Sequence, residues 1–317
     1  MTPKLITILT PCYNEELNVR EVHRRMMEVA ATLPQYRFEH LFIDNASTDR
    51  TVEVLREMAS EDATVKVIVN ARNVGADRSA MHALLQAQGD AVGSLVADLQ
   101  DPPELFVDMI REWENGFPIV AAIKTSSDEN SLMYRIRTGY YRLVARLTNV
   151  RILEHFTGFG LYDRSVIEKI RSDYRDPYPY FRGIIAELGL PVARVQYNQA
   201  RRERGVTSNN FYSLYDLAML GITNLSKVPL RLVIFFGFLC AAVSFLMGLF
   251  YLVYKLVFWS RFTVGVAPVV LGLFFLGSVQ LIALGIIGEY VGSIHTLVLR
   301  RPLVTEKERI NLGSPSA

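Results

Sequence analysis

From Leu232 to Tyr254, and again from Phe262 to Gly288, the chain contains no Asp, Glu, Lys or Arg. At about 1.5 Å of rise per residue, roughly 20 apolar residues cross a hydrocarbon core, so each stretch is long enough to span a bilayer. A pair of buried core helices is the alternative, but helices of soluble domains seldom run so far without a charge on the face turned to water. The expected division is a folded domain over residues 1–208, an amphipathic interfacial helix or linker over 209–229, spans over 230–258 and 262–290, and a tail over 291–317. In the linker, Phe211, Leu214, Tyr215, Ala218, Met219, Ile222 and Leu225 recur at three and four, an apolar stripe suited to the headgroup plane.

The residues before the spans alternate short apolar runs with amphipathic stretches. Leu5–Leu9, His40–Ile43, Val65–Val69, Ala91–Ala97 and Ile119–Ile123 read as strands, with helical patterns between them. This repetition predicts an α/β domain with a mostly parallel, doubly wound sheet, in which ligands sit at the carboxyl ends of the strands. The residues just after the strands are polar where their neighbours are not: Pro11-Cys12-Tyr13-Asn14-Glu15, Asp44-Asn45-Ala46-Ser47-Thr48-Asp49, Asn73-Val74-Gly75 and Asp98-Leu99-Gln100-Asp101-Pro102-Pro103.

Composition narrows the function further. A formal charge of +2 with 50% hydrophobic residues gives no footprint for nucleic acid, and the cluster Arg201-Arg202-Glu203-Arg204 is local. Cys12 and Cys240 fall in a strand-end loop and a span, settings too unlike for a disulfide, so a reducing cytosol is expected. Met1 to Thr10 runs into the first strand without the basic start of a cleavable signal.

The four strand-end motifs, the two apolar stretches and Gly288-Glu289-Tyr290-Val291-Gly292 together resemble the family 2 glycosyltransferases that act on polyprenyl phosphates. Bacterial bactoprenol glucosyltransferases, aminoarabinose-phosphate lipid transferases and dolichyl-phosphate mannose synthases are similar, and the match runs over nearly the whole chain. The resemblance implies a GT-A-type nucleotide-sugar-binding domain followed by two transmembrane helices.

The donor chemistry that this implies suits the motifs. Negative charge grows on a diphosphate as the sugar departs, and a divalent metal, Mg2+ or Mn2+, held by a strand-end carboxylate offsets it. Asp98 is the expected ligand and Gln100 a second; many relatives have Asp-x-Asp here, whereas this chain has Val96 in place of the first acid. The alternative for Asp98 is a helix N-cap ahead of Pro102 and Glu104. By resemblance, Pro11, Tyr13 and Glu15 line base and ribose, and Asp44 contacts the base. Ser47 and Asp49 read more simply as a turn capping the next helix. Gly75 sits where the backbone turns sharply or approaches a ligand, and Arg78 in the same loop is within reach of a phosphate.

A phosphate monoester, with a second pKa of about 6, is already ionised at neutral pH, so cations that position the acceptor matter more than a general base. Relatives carry acids near Phe156, and no base is assigned here. Arg135, Arg142 and Arg146, spaced by seven and four, lie near one face of an aromatic-rich helical pattern and are expected to hold the acceptor phosphate together with Arg201. Arg202 and Arg204 belong to a basic glycine loop that, by resemblance, faces the diphosphate and the acceptor.

Lys227 and Arg231 precede the spans, and Arg300, Arg301, Lys307 and Arg309 follow them, so the positive-inside rule places both termini in the cytoplasm and the protein in the inner membrane as a multi-pass chain. The expected reaction is inverting transfer of a hexose, glucose from UDP-glucose, to undecaprenyl phosphate. UDP-GlcNAc, a UDP-aminoarabinose derivative and GDP-mannose are alternative donors, and a catalytically silent membrane scaffold is the rival from another class. Expected partners are the UDP-sugar, the polyprenyl phosphate, the lipid bilayer and further copies of the chain as a homo-oligomer. A chain ending at Lys227 is expected to keep its nucleotide site.

Overall fold

The computed structural model describes residues 3–126, 153, 155–174, 176, 178–199, 228–258, 266–299 and 301–313. Among the described residues, eight strands form one sheet: β1 (Leu5–Cys12), β2 (Arg37–Asp44), β3 (Val65–Asn70), β4 (Ala91–Ser94), β5 (Ile119–Ser126), β6 (Phe156–Asp163), β7 (Val192–Asn198) and β8 (Glu306–Ile310). Their order across the sheet is β7-β5-β6-β4-β1-β2-β3-β8. Helices α1 (Val19–Ala31), α2 (Thr51–Glu61), α3 (Ala76–Gln86), α4 (Phe106–Glu114), α5 (Arg164–Asp173) and α6 (Phe181–Glu187) cover its two faces.

The strands at the centre are apolar on both faces because helices lie on both sides. In β1, Ile6 and Ile8 pack with Val22 and Met26 of α1 and with Phe106, Met109 and Trp113 of α4. Leu9 turns the other way, toward Met81 and Leu84 of α3 and Val166, Ile167 and Ile170 of α5. Gly93 lies so close under Phe106 that a Cβ there would stand 2.4 Å from its ring, so only glycine lets α4 approach β4.

The sheet is less parallel than the strand-helix repetition predicts. β4, β1, β2 and β3 pair in parallel, but β6 runs antiparallel to both β4 and β5, and β8 runs antiparallel to β3. β6 carries Gly158 and Gly160 and β8 reads Glu306-Lys307-Glu308-Arg309-Ile310, so neither has the apolar run that marks a strand. A charged edge strand is how proteins protect a sheet margin. β8 also corrects the division of the chain, because residues 306–310 of the expected tail belong to the sheet of the first domain. A chain ending at Lys227 would lack that edge.

The two apolar stretches form helices α7 (Val228–Val257) and α8 (Val266–Val298). At 30 and 33 residues they reach about 45–50 Å, and Leu230–Phe250 and Gly272–Val298 are long and apolar enough to cross a membrane. Large side chains on them are bare: Phe238 is 71% and Leu281 72% exposed. Each such side chain left in water costs about 1.5–3 kcal/mol, which a lipid surround removes. Residues 209–227 of the expected interfacial segment 209–229 lie outside the described residues, and the second helix runs on past the expected end at 290, to Val298.

Candidate active site

The carboxyl ends of β1, β4, β5 and β7 open on one side of the sheet, and antiparallel β6 brings its first residues, Thr157 to Phe159, to the same side. With the first turns of α3 and α6 they enclose a cavity of about 330 Å³. Three non-glycine residues in the loops after β1, β2 and β4 hold left-handed backbone: Asn14 (φ 56°), Ala46 (φ 61°) and Leu99 (φ 59°). Such conformations cost about 1–3 kcal/mol each and persist where the surrounding structure imposes them.

Asp98, Gln100, Asp101 and Val96 line this cavity. The Gln100 amide donates to Asp98 Oδ1 at 3.2 Å, closing a tight turn around Leu99. The helical segment that follows is capped at Pro102 and not at Asp98, so the capping alternative fails and the carboxylate faces the cavity. Asp101 is buried and accepts hydrogen bonds from the Tyr197 hydroxyl (2.6 Å) and Gln199 Nε2 (3.2 Å). Burial raises its carboxyl above the usual range and the charge of Asp98 adds to this, while the Tyr197 bond and the Lys124 charge oppose it. Lys124 Nζ donates to Gln199 Oε1 at 2.6 Å, so a cation is tied into the same network.

Among the described residues no cluster of three or more His, Cys, Asp or Glu surrounds a point. A cage made wholly of protein is thus absent there. One or two carboxylates and an amide oxygen still suit a hard divalent cation that takes the rest of its shell from water and substrate phosphates. Asp98 and Gln100 fit Mg2+ or Mn2+ on those terms.

The expected nucleotide residues divide. Pro11 lines the cavity with Asp98. Tyr13 (39% exposed) and Glu15 sit in the adjoining loop after β1 and are not in its lining. Glu15 Oε2 accepts from Asn18 Nδ2 at 2.5 Å. Asp44 is fully buried, its carboxylate bonded to the Ser47 hydroxyl and, at 2.9 Å, to the Ser47 amide. Burial raises the Asp44 carboxyl more than these bonds lower it. Ser47 and Asp49 hold turns: Asp49 Oδ1 accepts from the Thr51 amide at 3.0 Å as α2 begins. Gly75 has φ 90° just before α3, and a Cβ there would meet nothing within 4 Å, so the turn and not crowding calls for glycine.

Arg78 departs from expectation. Its guanidinium is buried, donates to the carbonyls of Pro302 (3.1 Å) and Leu303 (2.8 Å), and lies 4.6 Å over the Tyr178 ring. It is outside the cavity lining, because its helix turns the opposite face to the cleft. Arg135, Arg142, Arg146, Arg201, Arg202 and Arg204 lie outside the described residues.

Several cavity residues had no sequence assignment. Asp77 and Arg182, in the first turns of α3 and α6, face the cavity. Asp77 keeps solvent access, but the protein crowded around it raises its carboxyl, against the attraction of Arg182. Lys124 and Gln199 stand at the ends of β5 and β7. A lysine inside the apolar run Ile119-Val120-Ala121-Ala122-Ile123-Lys124 was the available signal for the first; Gln199 had none.

Comparison with known proteins accords with this geometry. The family described as Glycosyl transferase family 2 matches residues 7–171, which carry the strand-end loops and Asp98. The glycosyltransferase YkcC of Bacillus subtilis (strain 168) is 35% identical over 94% of this chain and 91% of its own. The SfII prophage-derived bactoprenol glucosyl transferase of Shigella flexneri is 32% identical over 94% and 96%. Among solved structures, Mycobacterium tuberculosis glucosyl-3-phosphoglycerate synthase is 19% identical over 69% of this chain and 78% of that one, with a TM-score of 0.46. With a family match over half its length, relatives at least 32% identical over more than nine-tenths of the chain and an acid-lined cleft at the strand ends, the chain belongs to glycosyltransferase family 2.

Proposed function

We propose that this glycosyltransferase transfers glucose from UDP-glucose to a polyprenyl phosphate, undecaprenyl phosphate, at the cytoplasmic face of the membrane, inverting the anomeric centre and releasing UDP. The observation that carries the reading is the joining, in one chain, of a strand-end cavity containing Asp98 to two long apolar helices. The names of relatives such as the Shigella flexneri bactoprenol glucosyl transferase support the acceptor and the sugar.

Asp98 and Gln100 would hold a divalent cation against the donor diphosphate, and when bound it offsets the charge of the departing UDP. Lys124 and Arg182, on other walls of the cavity, add positive charge toward the same diphosphate or the incoming phosphate. Asp101 keeps Gln199, and through it Lys124, in place. The acceptor phosphate is ionised near neutral pH, so the chain's task is to orient it, and Arg135, Arg142, Arg146, Arg201, Arg202 and Arg204 are proposed for that task.

Topology is supported from an unexpected direction. β8, which follows α8, pairs with β3, which precedes α7, and this supports the reading that both ends of the helix pair share one side of the membrane. The basic residues flanking the helices favour the cytoplasm as that side.

The test is incubation of the purified full chain with UDP- and GDP-sugars and undecaprenyl phosphate, followed by mass spectrometry of the lipid product. Glucosyl phosphoryl undecaprenol is expected from UDP-glucose. A product from GDP-mannose or UDP-GlcNAc alone would replace the donor, and no lipid product from any sugar would defeat the proposal.

A further inference from the structure

Helix α3 has two working faces. Asp77, Ala80, Met81 and Leu84 line the cavity. Arg78, His82 and Gln86, each four residues after the last, share the opposite face. All three meet the segment that follows α8. Arg78 Nη2 donates to the carbonyls of Pro302 and Leu303, His82 Nε2 pairs with Glu306 Oε1 at 2.5 Å, and Arg309 Nη2 donates to Gln86 Oε1 at 2.8 Å. Glu306 also holds Arg309, with 2.6 Å between its Oε1 and Nη2. Leu303 and Leu312 of the same segment pack against the core cluster that contains Met81 and Leu84.

The fit extends beyond α3. Asn311 Nδ2 donates to the carbonyls of Ala59 (2.7 Å) and Val65 (3.0 Å), Arg56 pairs with Glu308 at 2.6 Å, and β8 extends the sheet beyond β3. Tyr178, against which Arg78 stacks, lies just before α6, whose Phe181 and Arg182 line the cavity. Arg78 thus joins the exit of the second long helix to two walls of the cleft. A salt-linked contact at the surface is worth little, but Arg78 is buried, and its removal takes a donor away from two carbonyls at once.

We infer that the segment 301–313 is a brace behind the donor site: by gripping the outer face of α3 through Arg78, His82 and Gln86 it sets the position of the helix face that the nucleotide sugar meets. This rests on the proposed UDP-sugar reading of the cavity. Arg78, His82, Glu306 and Arg309 are then positioning residues that never touch the donor. Because coupling is reciprocal, whatever shifts the exit of α8 shifts donor affinity, and donor binding in turn steadies that exit.

The test is UDP titration by calorimetry and steady-state transfer with the full chain in nanodiscs. Arg78→Ala is expected to weaken UDP binding and raise the donor KM by about tenfold with kcat at saturating donor held, a size typical of coupling between sites. Arg78→Lys, which keeps a donor to the two carbonyls, is expected to recover most of the loss. Glu306→Ala, remote from the cavity lining, is expected to give a similar KM effect, and the double variant no more than the larger single one. Full additivity of Arg78→Ala and Glu306→Ala would mean that Arg78 acts on the ligand directly and would overturn the inference, as would unchanged UDP affinity in both single variants. Wild-type chain that fails to bind UDP would remove the donor proposal, and this inference with it.

Discussion

Val96, two residues before Asp98, presents an apolar side chain to the same cavity. Asp98→Ala is expected to lower transfer by at least about 100-fold, the cost of removing one group aimed at developing charge, with the circular dichroism spectrum unchanged. Val96→Asp is expected to be tolerated and to reduce the divalent metal concentration needed for half-maximal activity. On the far side of β1, a second kind of residue chemistry governs stability. His40 is fully buried, its Nε2 2.9 Å from Thr10 Oγ1 and its Nδ1 3.1 Å from His23 Nδ1. Desolvation lowers the pKa of both rings, and the His23 neighbour lowers that of His40 further, while Asp62 works the other way on His23. The unfolded chain therefore takes up protons below about pH 6.5 that the folded chain refuses. Stability is expected to be intact above that pH and to fall below it, by at most about 1.4 kcal/mol per pH unit for each ring. Denaturant unfolding at stepped pH checks this, and His23→Gln is expected to flatten the acid limb.

At the scale of elements, the parallel half of the sheet was legible because β1, β2 and β3 are apolar runs followed by polar loops. That rule also pointed to Pro11 and Asp98, both of which line the cavity. It failed for β6 and β8, whose glycines and charges hide them, and so it missed Thr157 to Phe159 and the contribution of the tail. It misjudged Arg78 for a related reason: a loop position next to Gly75 says nothing of which side of the following helix an arginine leaves from, and here the tail takes it. The expectation that a chain ending at Lys227 keeps its nucleotide site changes accordingly. Such a chain is expected to bind UDP at least about tenfold more weakly than the full chain, and adding residues 301–313 through a flexible linker is expected to restore part of the affinity, measured by calorimetry.

For the whole molecule, a helix pair whose two ends meet the same sheet predicts a hairpin in the membrane. Single cysteines at Lys4 and Gly313, in a background with Cys12 and Cys240 replaced by Ser and Ala, are expected to react with an impermeant maleimide from the cytoplasmic side of inverted vesicles and not from the outside of intact cells. Labelling of the two positions from opposite sides would exclude the hairpin. The bare aromatic and aliphatic surface of α7 and α8 was legible from composition alone, since the absence of charge over such lengths leaves few other fates.

The pairing of β3 with β8 also sets an order of events as the protein is made. While the ribosome is still producing α7 and α8, the first domain has an open sheet margin along Val65–Asn70, with unpaired amides that invite a neighbouring chain. That margin closes only when the strand beyond the second helix arrives from the membrane. Under the proposed membrane topology, a chain whose helices do not insert is expected to leave this edge open for longer and to aggregate more readily. Completion of the enzyme's sheet would in that way be tied to delivery to the bilayer.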